Sequence, residues 1–130
     1  MILSFNWTLA PVLAGEKTFT WREWNVNHAR KFHQGDQVTI YDKQPRSGGK
    51  PRGLIVMTKP PIYRCSDTLS DLDWEREGFK WLQEHPEHHP EKLWGKPFDP
   101  AMLTFEAFEE RRRKREMGWD VRFELVEIFG

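Results

Sequence analysis

The chain of 130 residues contains a single cysteine, Cys65, which excludes a disulfide framework and a thiolate metal cage. Neither sign of charge is in excess, since 20 basic residues meet 20 acidic ones. No global field therefore draws the chain to nucleic acid or to a membrane surface, and any such partner needs a local patch. No apolar run approaches the length that crosses a bilayer. Met1 to Phe5 is too short for a leader, and Trp7-Thr8 follows at once. These absences lead to the expectation of a soluble, cytoplasmic protein with no membrane partner. Aromatic bulk, by contrast, is plentiful. Seven Trp and nine Phe provide core material, which separates the chain from disordered sequences. Its length suits one core, and no linker divides it, so residues 1–130 read as one domain.

Hydrophobic spacing predicts the elements. Ile2 to Phe5 reads as a short strand. Thr8 stands where a helix cap belongs, before Leu9, Val12 and Leu13 at helical spacing, and Gly15 closes that helix. Thr18 to Arg22 is rich in β-branched and aromatic residues and reads as a strand. A polar segment from Asn25 to Gln34 leads to a Gly35-Asp36 turn and a strand through Val38 and Ile40. Gln44 to Arg52 holds two Gly, two Pro and three basic residues and reads as a loop. Leu54 to Met57 is apolar on both faces, as a central strand is, and Ile62 to Arg64 extends it beyond two prolines. Ser70 and Asp73 form a variant capping box for a helix from Asp71 to about Glu84, with Leu72, Phe79 and Leu82 on one face and Trp74 and Trp81 on another. Residues from about 85 to 105 read as an irregular insertion. A helix anchored by Phe105 and Phe108 follows, closed by Gly118. Val121, Phe123 and Leu125 alternate as a final strand, and the alternation breaks at Val126, the mark of a bulge. Strands outnumber helices and most are joined by turns, so the expected fold class is α+β, a small mixed β-barrel flanked by helices.

One stretch stands out for chemistry: Gly15 to Glu23, GEKTFTWRE. In a strand, Thr18, Thr20 and Arg22 share one face, while Phe19 and Trp21 share the other. Lys17 meets Thr20 only if regular pairing begins at Thr18 or later. One reading is a polar strand face beside a helix end. The other is a pocket floor with two fixed cations around a threonine hydroxyl.

The segment resembles the signature of the ASCH domain, a branch of the PUA-like superfamily: a helix ending in Gly-x-Lys-x-x-Thr-x-Arg, here Gly15, Lys17, Thr20 and Arg22. GDQVTIY, GLIVM and DWEREGF follow in the family's order. The resemblance spans Met1 to Leu82 and the last strand. It implies a PUA-like barrel that binds RNA or a modified nucleoside in a cleft beside the first helix, without a cofactor. Some bacterial ASCH proteins hydrolyse the amide of N4-acetylcytidine with a Lys, a Thr and a Glu. By that likeness the catalytic residues here are Lys17, Thr20 and Glu77, with Glu75 competing for the last role. RNA cleavage, proposed for some relatives, is a further alternative.

Amide cleavage needs a nucleophile, a base to activate it and an acid for the leaving amine. Lysine serves as the base when burial or a nearby cation lowers its pKa, and Arg22 is such a cation. At about 100° per residue, Glu77 falls near Trp74 and Trp81 on a helical wheel, which would give it a dry setting. Trp21 and Trp74 are candidates to stack on a base, Arg22 to hold polar edges, and Arg52 to meet a phosphate. The basic run Glu109 to Glu116 contains pairs at i, i+4 (Glu109 with Arg113, Glu110 with Lys114) and reads as a solvated helix face. His85, His88 and His89 match no zinc spacing, so no metal site is expected.

Overall fold

A computed structural model describes residues 1–130. One sheet organises the chain. Its strands are β1 (Ile2–Ser4), β2 (Phe19–Arg22), β3 (Gln37–Tyr41), β4 (Pro51–Met57), β5 (Ile62–Cys65) and the long last strand (Met117–Ile128). Between β5 and that strand lie a small hairpin of β6 (Lys92–Leu93) and β7 (Lys96–Pro97), so the last strand is β8. The helices are α1 (Leu9–Leu13), α2 (Val26–Ala29), α3 (Leu72–Arg76), α4 (Phe79–Glu84) and α5 (Phe105–Arg113).

The sheet order is β1-β3-β4-β8-β2, with β5 also on β8. Only β1 and β3 run parallel. At twelve residues, β8 is long enough to serve several partners. Its second half pairs with β4, and its first half lies between β5 and β2. β5 therefore continues the edge begun by β4, as the sequence suggested. Opposite Leu54 and Ile55 the register jumps from Glu127 to Leu125, which leaves Val126 as the expected bulge. Bulge and twist curl the sheet into a half-barrel. The result is a mixed α+β half-barrel flanked by helices, the expected fold class. No helix is long and apolar enough to cross a membrane.

The concave side holds the main core, with Phe5, Val12, Val38, Ile40, Ile55, Met57, Val121 and Phe123 buried together. Alternation along β4 and β8 places these residues on one face. Smaller clusters form where the last helices cover the outer face: Phe19 with Leu69 and Phe108, and Phe79 with Leu82 and Leu103.

Three sequence expectations need correction. The helix from Asp71 to Glu84 is two helices, broken at Gly78, whose φ of +86° is left-handed. Leu72 consequently does not share a face with Phe79 and Leu82: it lies exposed while they are buried. Gly118 closes no helix; it sits inside β8, where Trp21 covers it so closely that no side chain fits. The preceding chain reverses at Arg115, φ +54°. Apart from these, the 85–105 segment consists of short turns and the β6–β7 hairpin, turned by Trp94 and Gly95 at positive φ. Phe98 from this segment packs on Trp7, but Trp94 is exposed.

Candidate functional site

The exit of α1 builds the first wall of the site. Gly15 turns the chain at φ +76°, and the amides of Glu16 and Lys17 both donate to Pro11 O at 2.9 Å. Pairing of β2 with β8 starts at Phe19, opposite Arg122. Lys17 is thus outside the regular strand and free of its alternation, the condition for meeting Thr20. Its side chain is 4% exposed. Nζ donates to Glu77 O at 2.9 Å and lies 5.9 Å from the centre of the Phe79 ring.

Gly78 builds the second wall. Its left-handed backbone ends α3 and restarts the chain as α4, turning Glu77 and Phe79 toward α1. Pro11 lies so close that a Cβ at position 78 would stand 2.8 Å from it. Lys17, Thr20, Arg22 and Glu77 then line one hollow of about 620 Å³. Arg22 Nε donates to Thr20 Oγ1 at 3.1 Å, and Arg22 Nη2 to Ser4 O at 2.9 Å. The Phe5 ring lies 5.0 Å below the guanidinium.

Electrostatics in the hollow are unusual. Burial lowers the Lys17 amine to about 8, with Glu77 opposing and Arg22 assisting. Burial also lowers Arg22 to about 10, against the attraction of Glu77. Glu77 is raised, again by burial first, while Lys17 and Arg111 pull it back. It is half-buried by area because one side opens on the hollow. Its backbone carbonyl, not its carboxylate, holds Lys17. The carboxylate has no hydrogen-bonded partner and remains available to a ligand. Such a set, an amine and a carboxyl shifted toward neutrality beside a hydroxyl, is the pattern of functional sites.

The other expected site residues divide. Trp21 does line the hollow. Trp74 does not: its indole donates to Leu103 O at 2.8 Å and meets Phe105 edge-on. The break at Gly78 takes Trp81 off the helical wheel that brought it to Glu77, while Trp74, on the same turn as Glu77, is drawn away by its bond to Leu103 O. Trp81 stacks on His85 instead, at 4.0 Å. Arg52 lies exposed at the start of β4 and does not line the hollow. Glu75 is exposed and pairs with Lys80 at 3.1 Å, so Glu77 is the glutamate in the hollow. In the basic run, Glu109 meets Arg113 at 3.4 Å as expected. Arg111 instead folds inward, its guanidinium 4.9 Å over Phe79.

Sequence reasoning missed Trp7, Lys43 and Gln44, which also line the hollow. Trp7 stacks with Phe79 at 6.3 Å, and Gln44 Nε2 donates to Ser4 Oγ at 3.0 Å. No spacing signals these residues, because distant segments bring them together. Asp73 was also missed beyond its capping role. It is buried and accepts from Arg122 at 2.6 Å. Asp120 and Arg122 stand two apart on β8 and therefore share a face, the one signal that could have revealed this cluster.

Fold and site together define a small α+β half-barrel with a polar hollow at the exit of its first helix. The sequence matches no family model and no curated protein. Among solved structures, protein EF3133 from Enterococcus faecalis V583, of the family DUF984, is similar, with a TM-score of 0.54 at 18% identity. The match covers 95% of this chain and 69% of that one. At this identity the likeness concerns the fold alone.

Proposed function

We propose that the chain is an ASCH-type domain whose hollow binds a modified nucleoside and hydrolyses an amide on its base, as in N4-acetylcytidine. The observation behind this reading is the convergence of Lys17, Thr20 and Glu77 on one hollow, with the amine lowered to about 8 and the carboxyl raised. Thr20 Oγ1 attacks the amide carbon as its proton passes to neutral Lys17. The C–N bond breaks while protonated Glu77 gives its proton to the departing amine. Water then cleaves the threonine ester, returning a proton to Glu77, and Lys17 returns its own to Thr20. The products are the free acid and the amine. Arg22, already on Thr20 Oγ1, is placed to face the charge that develops on the substrate oxygen. Before reaction, Lys17 Nζ must turn from Glu77 O to Thr20, the kind of tightening that substrate binding brings about.

Incubation with N4-acetylcytidine, read by cytidine release, tests the proposal. The wild type turns it over, and Thr20→Ala and Lys17→Met each lose about 100-fold or more. An inactive wild type, or variants as active as it, would refute the chemistry.

A second reading is binding of RNA or a nucleoside without chemistry. The presence of Trp7, Trp21 and Phe79 beside Arg22 and Lys43 favours it, since rings and cations together grip bases and backbone. RNA affinity measured against salt separates the two. Loss of binding on removing Lys17 and Arg22, in a protein inactive on the amide, selects the binding module.

A further inference from the structure

The wall behind the hollow has a second side. Lys17 and Glu77 face the hollow, but their chain neighbours Thr18 and Arg76 line a different cleft, of about 520 Å³. The Thr18 amide donates to Arg76 O at 2.8 Å and ties the two segments into one partition. Four cations line this second cleft, Lys59, Arg64, Arg76 and Arg122, against the carboxylates of Asp73 and Glu124.

These cations are unequally satisfied. Arg122 is fully engaged: it grips Asp120 with two bonds of 2.6 and 2.9 Å and gives a third, of 2.6 Å, to Asp73. Asp73 and Asp120 are then the buried carboxylates left for the others. Arg76 reaches Asp73 at 3.4 Å with one nitrogen only. Arg64 stands 3.8 Å from Asp73 and 3.3 Å from Asp120. Its Nη2 donates to Thr68 O at 3.3 Å, while its Nε is shut off from solvent and makes no hydrogen bond. Lys59 is exposed and has no ion-pair partner. Thus three guanidinium groups and the rim lysine face the buried Asp73 and Asp120 and the exposed Glu124, an excess of one positive charge. The hydroxyls of Thr18, Thr58 and Ser70 line the same cleft and make no side-chain bond within the protein.

Guanidinium forks with spare N–H groups, set among free hydroxyls, match a tetrahedral oxyanion. A neutral ligand would leave the surplus charge uncompensated. We infer that this cleft is a phosphate-binding site, separate from the hollow and independent of the reaction proposed there. The phosphoryl group is either a free phosphate or nucleotide, or a phosphodiester of a nucleic-acid strand. Arg64, Arg76 and Lys59 hold it, and Arg122 with the two aspartates forms the fixed base beneath.

The test is a titration of the full chain followed by backbone amide NMR. The probes are inorganic phosphate and a short single-stranded oligonucleotide. The double variant Lys59→Gln with Arg76→Gln removes two exposed cations and leaves the Arg122 network whole. Arg30→Gln, an exposed cation outside the cleft, serves as the charge control. The expected result is a shift of the Thr18, Thr58, Arg64 and Thr68 amides with a phosphate Kd of about 1 mM. In the double variant that Kd rises at least about tenfold, and in the control it is unchanged. Response to both probes, with phosphate competing against the strand, assigns the site to free phosphate or nucleotide. Response to the strand alone, lost in the double variant and steeply weakened by salt, assigns it to the phosphodiester. The inference is overturned if neither probe moves these amides, or if the double variant binds as tightly as wild type.

Discussion

Replacing Gly78 with alanine tests the hinge that aims Glu77. A left-handed backbone costs an L-residue about 1–2 kcal/mol. The new methyl would stand 2.8 and 2.9 Å from Pro11 Cβ and Cγ and 3.1 Å from Lys17 Cβ. Pro11 is a buried ring in the first turn of α1 and cannot swing aside. Such overpacking costs about 1–3 kcal/mol. Lower chain entropy in the unfolded state returns up to about 1 kcal/mol. The net loss is therefore about 1–5 kcal/mol. At about 2.1 cal/mol/K of unfolding entropy per residue, this corresponds to a fall in Tm of about 4–18 °C. Gly35→Ala is the matched control. Gly35 has φ +88° with nothing within 4 Å of an added Cβ, so it carries the backbone cost without the clash. Calorimetry on both variants isolates the contact with Pro11 and Lys17. If Gly78→Ala is no less stable than Gly35→Ala, the close approach of α1 to this hinge is wrong. Amide hydrolysis by Gly78→Ala, measured well below its Tm, should also fall, because relief of the clash moves Lys17 and Glu77 apart.

If Lys17 and Glu77 both work, the rate is bell-shaped in pH with an alkaline limb near 8, where Lys17 titrates. A rate still climbing through about pH 9 would remove Glu77 from its role as acid, since neutral lysine alone gives a plateau and no fall. Lys17→Met should abolish hydrolysis yet raise Tm at pH 7. Folding lowers the lysine from 10.5 to about 8, so below pH 8 the folded chain carries the whole cost, about 3 kcal/mol at 1.36 per unit. The lost bond to Glu77 O offsets part of that gain, and an unchanged or lower Tm would argue against a strained amine. For wild type, the same shift makes stability rise from about pH 8 to 10.5, where only the unfolded lysine remains protonated. Asp73→Asn should cost about 3–5 kcal/mol by urea denaturation, because it leaves Arg122 and its neighbours short of a buried counter-charge. Burial raises the Asp73 carboxyl, but the Arg122 and Ser70 hydrogen bonds outweigh it and hold it below the usual range. That stability is present above about pH 4, the unfolded value, and is lost as acid protonates the folded carboxylate. Denaturation of Asp73→Asn should accordingly show a flatter acid limb than wild type.

Much was readable along the chain because local rules decide it. Two-residue alternation set the core face of β8, and its interruption marked the bulge at Val126. Gly15 after Val12 and Leu13 marked the end of α1, so local sequence alone places Lys17 between that helix and the strand. Thr18 to Arg22 sorted its faces by the same rule. What composition and spacing could not decide was where a chain turns between elements that pack against distant partners. Gly78 looked like an interior helix residue, since a lone glycine is tolerated there. Its left-handed turn and the close approach of Pro11 emerge only in the fold, which sets Glu77 in the hollow, leaves Glu75 on Lys80 and holds Trp74 at Leu103. The charge cluster of Asp73, Asp120 and Arg122 has the same origin. Each of these residues has an ordinary surface pattern in its own element, and they become a buried network when α3 covers the outer face of β8. Sequence determined the elements and which side of each is apolar, because those depend on neighbours within a few residues. Tertiary structure decided which polar groups meet, because their separation is fixed by contacts between segments tens of residues apart.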